Sequence, residues 1–433
     1  MLRVLLPCAL GRRSRPKAAH STGPSVTCIC PAQSTHGGTV MCSPNHSFDI
    51  VVVGAGPVGL SFAASLAQSQ LKVAVVEQNS IDRLANAPFD GREIALTFAS
   101  IRILRQLGAW DTIPASEKSP LYGARVLNGS SAFALRFAAP MASGEPLGIL
   151  VPNCRIRDAL FKVVRLRDEP LLLCGHPVVR ATTSHKGAVI TLSDGMQLSS
   201  RLVVAADSRL SPTRDLLGIG ADINRLGHSM LICRVRHEGA HHQVATEWFD
   251  HHQTIAMLPV GEGMSSLLLT LPSSEADRLL AFTDDLFLLE LTNRCRGRLG
   301  NMELASNRHT YPLVTTWAHK FKAPSAALIG DAAIGMHPVT AHGFNIGLSS
   351  QKQLADAILT ASRHGRDIAD PAMLHRYERW LRLSAAPLYH ATNILVGLYS
   401  SEQPVARLAR HAGLRFAQHV PLVRHVISAM LKR

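Results

Sequence analysis

The sequence predicts a mixed α/β fold, mainly because of two glycine-containing segments that lie about 270 residues apart. The first is the apolar run 50–53, which leads into the pattern G-x-G-x-x-G over residues 54–59. The second is the pair at 330–331, which follows the apolar run 326–329. Between them, short segments alternate apolar and polar residues, as strands of an antiparallel sheet do.

The first segment has the features of a dinucleotide-binding turn. Residues 50–53 are β-branched and apolar, which is typical of a strand buried on both faces of a parallel sheet. In such a turn Gly54 permits the tight bend, Gly56 lets a pyrophosphate approach the backbone, and Gly59 lets the next helix pack closely. That helix is expected over 60–68, with its free N–H groups and positive dipole end facing the phosphates.

A carboxylate stands where such a motif needs one. A second strand is expected over 72–76 and ends at Glu77, 23 positions after Gly54. An acid about 20 residues beyond the first glycine holds the ribose hydroxyls in dinucleotide-binding domains. A glycine turn without a ligand is the alternative, but it would not explain why strand, helix, second strand and acid stand in register.

The second segment indicates that the bound dinucleotide is FAD. The run 326–329 predicts a strand that leads into Gly330 and Asp331, where the acid would accept a hydrogen bond from a ribityl hydroxyl. Residues 338–345 are expected to form a loop that leads into a helix from about Phe344. N–H donors at such a helix start would stabilise an anionic reduced flavin. The chain has no C-x-x-C pair, which argues against the disulfide reductases that combine two dinucleotide domains.

From about residue 48 to the C-terminus, the chain resembles the group A flavoprotein monooxygenases, whose fold is that of para-hydroxybenzoate hydroxylase. Within them it most resembles the FAD-dependent hydroxylases of ubiquinone biosynthesis. Segment 90–96 is similar to the family's D-x-R-x-x-A-L motif, 151–153 to its V-x-N motif, and 206–214 to its D-G…S…R motif. The pairs at 311–312 and 337–338 also stand where the family has Tyr-Pro and His-Pro. Beyond the glycines and acids above, the resemblance implies cofactor contacts from Arg92, Asn153, Asp207, Pro338, Gly343, Phe344 and Asn345.

The resemblance also implies the reaction. NAD(P)H would reduce FAD, and O2 would then form a flavin hydroperoxide that hydroxylates the aromatic ring of a polyprenylated phenol or quinol. His337 and His342 are the candidate catalytic residues, because a neutral imidazole would accept the proton of the ring hydroxyl. Alternatively, both histidines only structure the loop; His342 departs from the family's usual glutamine. Two other functions stay open: an FAD-dependent oxidoreductase for another lipid or aromatic substrate, and a flavin-binding scaffold subunit of a biosynthetic complex.

The net charge of +14 raises the question of nucleic-acid binding, but its distribution argues against it. Residues 1–48 contain five basic and no acidic residues, and residues 403–433 contain six basic and none acidic. The catalytic body between them is therefore nearly neutral, and no recognition motif for nucleic acid is present. The histidine pairs at 241–242 and 251–252 lack the spacing and carboxylate partner of a metal site, so we expect no metal.

The two ends are expected to differ from the body. The N-terminal stretch resembles a transit peptide in its charge, or it precedes a true start at Met41. The basic, amphipathic C-terminal region predicts either peripheral contact with anionic lipid or a packed helix with a solvated face. The expected location is cytoplasmic, peripheral on the inner membrane, or alternatively on the matrix side of the mitochondrial inner membrane. The resemblance also implies membership of a multi-enzyme complex of ubiquinone biosynthesis.

These observations predict a Rossmann-like FAD-binding domain interleaved with an antiparallel-sheet substrate domain, and a helical C-terminus. Four scattered cysteines in the body are expected to be reduced core residues. The expected division is a disordered extension (1–47), three FAD-binding parts (48–120, 151–220, 311–365), two substrate-domain parts (121–150, 221–310) and a helical basic region (366–433).

Overall fold

A computed structural model describes residues 46–400 apart from positions 68, 130, 132–133, 139–143, 168–169, 251–252 and 341. The expectations for residues 1–45 and for the basic region 403–433 lie outside the described residues, whereas residues 46 and 47 of the predicted extension begin the first strand. Within them the chain has the α/β architecture that the sequence predicts, with one mainly parallel sheet, one mainly antiparallel sheet and a small third sheet. The seven-part division of the chain stays a prediction.

The parallel sheet is built from the apolar runs around the two glycine segments. Residues 50–52 are completely buried, as expected for a central strand with both faces covered. Parallel pairing joins the strands of residues 326–328, 197–205, 46–53, 73–77 and 171–174 in that order across the sheet. The strands of this sheet, including an antiparallel hairpin at its edge, are His46–Val53, Val73–Glu77, Leu171–Cys174, Val178–Ser184, Gly187–Leu192, Gln197–Ala205, Lys322–Ala323 and Ala326–Leu328.

Helices pack against this sheet. The first begins at Pro57, three residues earlier than predicted, because proline fits the first helical position, where no N–H is needed. The helices outside the antiparallel sheet are Pro57–Leu66, Ile81–Ala85, Phe98–Gln106, Asn153–Arg165, Pro212–Leu216, Gly343–Arg363 and Pro371–Ser400. Short 3-10 turns lie at Trp110–Thr112, Ala115–Glu117, Gly330–Ala332 and Pro338–Thr340.

The antiparallel sheet has one face covered by two helices, Ser273–Leu280 and Asp284–Arg294. Apolar side chains from the sheet and from these helices form a separate core around Trp248 and Phe287. The strand Gly123–Asn128 pairs in parallel with Val244–Asp250, and the other pairings in the sheet are antiparallel. Its strands are Gly123–Asn128, Ala134–Ala138, Ala221–His237, Val244–Asp250, Gln253–Pro259, Met264–Pro272, Met302–Leu304, His309–Ala318 and Ile334–Gly335.

The small sheet consists of Glu93–Leu96, Ser119–Leu121 and Gly148–Pro152. The residue pattern of 121–126 predicts one strand, but in the structure this stretch is divided between two sheets. Leu121 pairs with Gly148 in the small sheet, whereas Gly123 pairs with Val244 in the antiparallel sheet. The chain therefore changes sheets at Tyr122, a boundary that a continuous apolar pattern does not reveal.

Another strand is longer than its pattern. The alternating pattern of residues 230–237 predicts a strand there, whereas the strand of the structure spans 17 residues, Ala221–His237. The register against its neighbour shifts between Arg225 and Ser229. Gly227, with a φ of +67°, lies in this irregularity and lets the strand continue past it.

The helix Pro371–Ser400 is tied to the parallel sheet by polar contacts. The hydroxyl of buried Tyr377 donates to the Leu328 carbonyl at 2.7 Å, and the Glu378 carboxylate accepts from the Phe321 N–H at 2.8 Å. In the described part of the chain, no helix combines the length and apolar character needed to cross a membrane.

The four cysteines of the body are reduced thiols, as expected. Cys154, Cys233 and Cys295 are buried, whereas Cys174 is half-buried. Burial raises the pKa of both Cys233 and Cys295 to about 12, so these thiols stay protonated and unreactive.

Candidate functional site

The glycine loop shows where a ligand fits and where it does not. A Cβ on Gly54 would lie 2.6 Å from the Ala206 carbonyl oxygen, and a Cβ on Gly59 would lie 2.0 Å from the Gly54 oxygen. These two glycines therefore permit backbone packing. A Cβ on Gly56 would have no described atom within 4 Å, so this side of the loop is open to a pyrophosphate. No described side chain caps the helix that begins there, which leaves its first N–H groups for an anion.

Glu77 lies at the end of its strand and beside the glycine loop. One carboxylate oxygen accepts a hydrogen bond from the Ala55 N–H at 2.8 Å, and the other accepts from the backbone and side chain of Asn79. These bonds hold the buried carboxylate in place at the loop, where the motif calls for a ribose partner.

The second glycine segment packs directly on the first. A Cβ on Gly330, whose φ is +58°, would lie 3.1 Å from Cγ1 of Val58, and a Cβ on Gly347 would lie 2.8 Å from its Cγ2. The Gly330 N–H donates to the Ser350 hydroxyl at 3.1 Å. Gly347 thus lets two helix starts come together.

Asp331 faces a partner that sequence reasoning missed. The Arg209 guanidinium forms an ion pair with its carboxylate at 2.9 Å and also donates to the Val314 carbonyl at 3.0 Å. Asp331 remains about one-third exposed, so it keeps room to accept a further hydrogen bond. The signal for Arg209 was its place two residues after Asp207 in the D-G…S…R-like segment.

The Arg92 loop joins the cofactor side to the antiparallel sheet. Arg92 forms an ion pair with Asp90 at 2.6 Å, Asn153 donates to the same carboxylate at 2.8 Å, and the Tyr311 hydroxyl donates to the Asp90 carbonyl at 2.7 Å. Burial acts to raise the pKa of Asp90, but Arg92 and Asn153 together hold it below its usual value. Burial likewise acts to lower the pKa of Arg92, and the charges of Asp90 and Asp331 leave it raised. Two segments 221 positions apart, those of Asp90 and Tyr311, therefore meet here.

The loop after Asp331 leads into a helix at Gly343, close to the predicted start at Phe344. Buried Asn345 accepts from the Thr97 N–H at 3.1 Å and donates to the Ala95 carbonyl at 2.9 Å, so it fastens this helix to the small sheet. Pro338 begins the short 3-10 turn just before it.

The Asp207 carboxylate accepts hydrogen bonds from its own loop. It accepts from the Ser211 hydroxyl at 2.5 Å and from the Thr213 N–H at 3.1 Å. Its backbone lies against Gly54, since a Cβ on that glycine would be 2.6 Å from the Asp207 Cα. In this arrangement Asp207 shapes the wall of the glycine loop, and its direct cofactor contact stays a prediction.

The two candidate histidines are both buried in the loop. Nδ1 of His337 accepts from the Val339 N–H at 3.2 Å. Burial, helped by the charges of Arg209 and His228, lowers the pKa of His337 to about 4. Such an imidazole is neutral at pH 7 but is a weak proton acceptor, so its surroundings favour the structural alternative. His342 precedes the helix start, and a proton-accepting role for it stays a prediction.

The structure contains a further buried ion pair that the sequence does not predict. The Glu93 carboxylate, 1% exposed, pairs with Arg234 at 2.6 Å, and this guanidinium also lies over the Phe89 ring at 4.5 Å. Glu93 follows Arg92 in the D-x-R-x-x-A-L-like segment, whereas Arg234 comes from the antiparallel sheet. The pair holds that sheet against the loop.

These residues fit FAD. The open side of Gly56 and the uncapped helix start suit the pyrophosphate, Glu77 suits a ribose, and Asp331 suits the ribityl chain. The start of the helix Gly343–Arg363 suits the flavin ring.

Two glycine substitutions separate cofactor binding from folding. We expect Gly56→Val to fold normally, because its φ of −69° suits any residue and its Cβ meets open space. Its FAD content should nevertheless fall about tenfold or more, since the side chain occupies the pyrophosphate position. Gly59→Ala should lower both stability and FAD content. Flavin absorbance per protein and melting of the apoproteins measure both; full FAD occupancy in Gly56→Val would contradict the site.

The lowered pKa of His337 predicts an acid-sensitive fold. Between pH 6.5 and 4 the unfolded chain binds a proton that the folded chain does not, so the free energy of unfolding falls as pH decreases. Between pH 7 and pH 5, the free energy of unfolding should fall by about 2 kcal/mol less in His337→Gln than in the wild type. Urea unfolding at both pH values measures this. His185→Gln, at an exposed turn, is the control and should behave like the wild type, and equal losses in all three proteins would refute the buried neutral imidazole.

Comparisons with known proteins agree with this geometry. A family model described as an FAD binding domain matches residues 47–389. Ubiquinone hydroxylase UbiM of Neisseria meningitidis is 43% identical over 390 residues, which cover 89% of this chain and 84% of that protein. Ubiquinone hydroxylase UbiL of Rhodospirillum rubrum is 34% identical and covers 87% of each chain.

Solved structures share the fold. p-Nitrophenol 4-monooxygenase PnpA of Pseudomonas putida superposes with a TM-score of 0.72 at 18% identity, over 89% of this chain and 99% of that one. The anhydrotetracycline hydroxylase OxyS of Streptomyces rimosus gives 0.68 at 20% identity, over 89% and 76%. With the sequence relatives and the cofactor cradle, the family follows: this chain belongs to the FAD-dependent hydroxylases of ubiquinone biosynthesis, within the group A flavoprotein monooxygenases.

Proposed function

We propose that this protein hydroxylates the aromatic ring of a polyprenylated phenol or quinol on the route to ubiquinone. The observation that carries the proposal is the 43% identity to a ubiquinone hydroxylase across nearly the whole of both chains. The cofactor cradle described above supports the FAD-dependent part. NAD(P)H is the electron donor and O2 the oxygen source.

The protein's own residues have limited but definite tasks. The chemistry that bound FAD would supply is acceptance of a hydride from NAD(P)H and transfer of one oxygen atom of O2 to the ring. The glycine loop and Glu77 hold the nucleotide end, and Asp331, oriented by Arg209, holds the ribityl chain. The helix start at Gly343 orients the ring system. Orientation and exclusion of water are therefore the main contributions of the chain.

The face of the antiparallel sheet that lies toward the small sheet suits an apolar substrate. Leu121, Leu150 and Val260 form a buried cluster there, with Leu258 and Met264 packed against it. Transfer of a prenylated ring from water to such a surface costs little free energy, whereas transfer of a charged substrate would cost a great deal.

Product analysis tests the proposed reaction. We expect expression in cells that lack quinone hydroxylases to yield a prenylated product heavier by one oxygen atom, and 18O2 to label that atom. Mass spectrometry of the extracted lipids measures both. NADPH oxidation without any hydroxylated phenol or quinol would favour an oxidoreductase for another substrate. Substoichiometric FAD with no NADPH oxidation would favour a scaffold.

We also propose peripheral membrane contact through the C-terminal region, as a lipid-soluble substrate requires access from a bilayer. Six basic and no acidic residues occur in 403–433. The preceding helix exposes Leu383 by 67% and Ile394 by 71%, and their spacing of eleven residues places them on one helix face. Apolar groups beside basic ones are typical of surfaces that bind anionic lipid. Membership of a biosynthetic complex stays a prediction.

Vesicle sedimentation tests the membrane contact. We expect deletion of residues 403–433 to reduce binding to phosphatidylglycerol vesicles, because each basic residue contributes about 1 kcal/mol near an anionic surface. Salt at about 0.5 M should reduce wild-type binding in the same way, and phosphatidylcholine vesicles should bind neither form. Equal low-salt sedimentation of both forms, with the melting temperature unchanged, would contradict the proposal.

A further inference from the structure

One face of the antiparallel sheet carries an isolated carboxyl group. Residues paired across strands point to the same face, and Glu247 pairs with Val126 on one side and Ala256 on the other. The next residue, Trp248, points to the opposite face and is buried in the core formed with the two covering helices. Glu247 therefore points away from that core, toward the small sheet.

Glu247 is the ionisable residue among otherwise uncharged neighbours. In the three strands Val244–Asp250, Gln253–Pro259 and Met264–Pro272, alternate residues share its face. The other described members of this set are Ala245, Phe249, Thr254, Ala256, Leu258, Met264, Ser266, Leu268, Thr270 and Pro272. A carboxyl on such a surface costs free energy unless it has a partner.

No described residue supplies that partner. The other carboxyls of the site are satisfied: Glu93 pairs with Arg234, and Glu77 accepts N–H donors. Glu247 makes no hydrogen bond or ion pair with any residue that the structure describes. It keeps intermediate exposure although protein surrounds it closely, as a side chain lining a recess does.

The face of the sheet that carries Glu247 packs, through Ala245, near the helix start that suits the flavin ring. Ala245, two residues before Glu247 on the same face, packs in the cluster of Leu121 and Leu150 together with Ala95. The Ala95 carbonyl accepts the hydrogen bond from Asn345, in the first turn of the helix Gly343–Arg363. Residues two apart on a strand are about 6.6 Å apart, so Glu247 lies on the same face as this contact and close to it along the strand.

We infer that Glu247 lines the substrate pocket, accepts a hydrogen bond from the ring hydroxyl of the phenol or quinol, and takes up its proton during hydroxylation, an inference that rests on the function proposed above. In this step the O–H bond of the ring hydroxyl breaks and the proton binds to the carboxylate. The electron pair stays on the oxygen, which raises the electron density of the ring and so favours electrophilic attack. The step transfers no electrons, and the carboxyl later releases the proton to solvent.

The electrostatics of the pocket agree with this role. Burial raises the pKa of Glu247 to about 8, and no described charged group contributes to the shift. The groups that face it from the adjoining strands and from the neighbouring cluster are uncharged, and the charged Arg234–Glu93 pair lies farther across the sheet. A carboxyl that titrates near the working pH serves proton transfer better than one with a pKa near 4. The carboxylate fraction grows as pH rises through 8, so product formation should rise over the same range.

The test compares Glu247→Gln with the wild type from pH 6 to pH 9. Glutamine keeps the size and a hydrogen-bonding carbonyl but takes up no proton. We expect hydroxylated product per NADPH consumed to fall about tenfold or more, in line with general-base catalysis, and its rise through pH 8 to disappear. A phenol with one isoprene unit is the probe, and its Kd, measured by calorimetry, should change less than about threefold. Glu303→Gln, an exposed change on the same sheet, is the matched control and should match the wild type.

The outcomes separate the two proposals. If the wild type hydroxylates the probe and Glu247→Gln matches it in product per NADPH or keeps the same pH dependence, the inference about Glu247 fails and the proposed function stands. If the wild type hydroxylates no prenylated phenol or quinol, the proposed function fails and the inference falls with it. Melting temperature and FAD content exclude misfolding: because a buried ionisable group is removed, Glu247→Gln should melt no lower than the wild type at pH 8.

Discussion

The site depends on the close approach of backbone segments around Val58. Gly59 packs against the oxygen of Gly54, and the Val58 side chain fills the space over Gly330 and Gly347. A Cβ on Gly54, Gly59, Gly330 or Gly347 would lie between 2.0 and 3.1 Å from the nearest neighbouring atom, which is closer than ordinary van der Waals contact. Because the backbones meet here, two helix starts from distant parts of the chain present their N–H groups to one region. An anionic, extended cofactor needs this convergence.

Polar contacts then set the position of the antiparallel sheet. Tyr311 and Arg234 belong to that sheet, and their partners, the Asp90 carbonyl and the Glu93 carboxylate, belong to the loop and small sheet beside the cofactor site. A buried ion pair contributes more to a defined geometry than to net stability, because desolvation of both charges offsets much of their attraction. The pairs are therefore best understood as fixing the distance between the two sheets, and thus the shape of the pocket.

Burial has opposite effects on the pKa values of two titratable groups of the site, His337 and Glu247. It lowers the pKa of His337 to about 4 and raises the pKa of Glu247 to about 8, because a low-polarity environment disfavours whichever form is charged. At neutral pH both groups are mainly uncharged. The pocket can thus accept an apolar substrate, while the group whose pKa lies nearer the working pH is the better proton acceptor.

The sequence alone determined the features that depend on short stretches of chain. The buried strand at 50–53, the glycine turn, Glu77 and the helix start near Phe344 follow from side-chain branching, glycine conformations and spacing, which act over a few residues. Only the tertiary structure decided which side chains meet. The pairing of Asp331 with Arg209, the change of sheets at Tyr122 and the packing of Ala245 with Ala95 each join distant segments. The environment of a side chain, and with it its pKa and its partners, is set by such contacts, which no local pattern encodes.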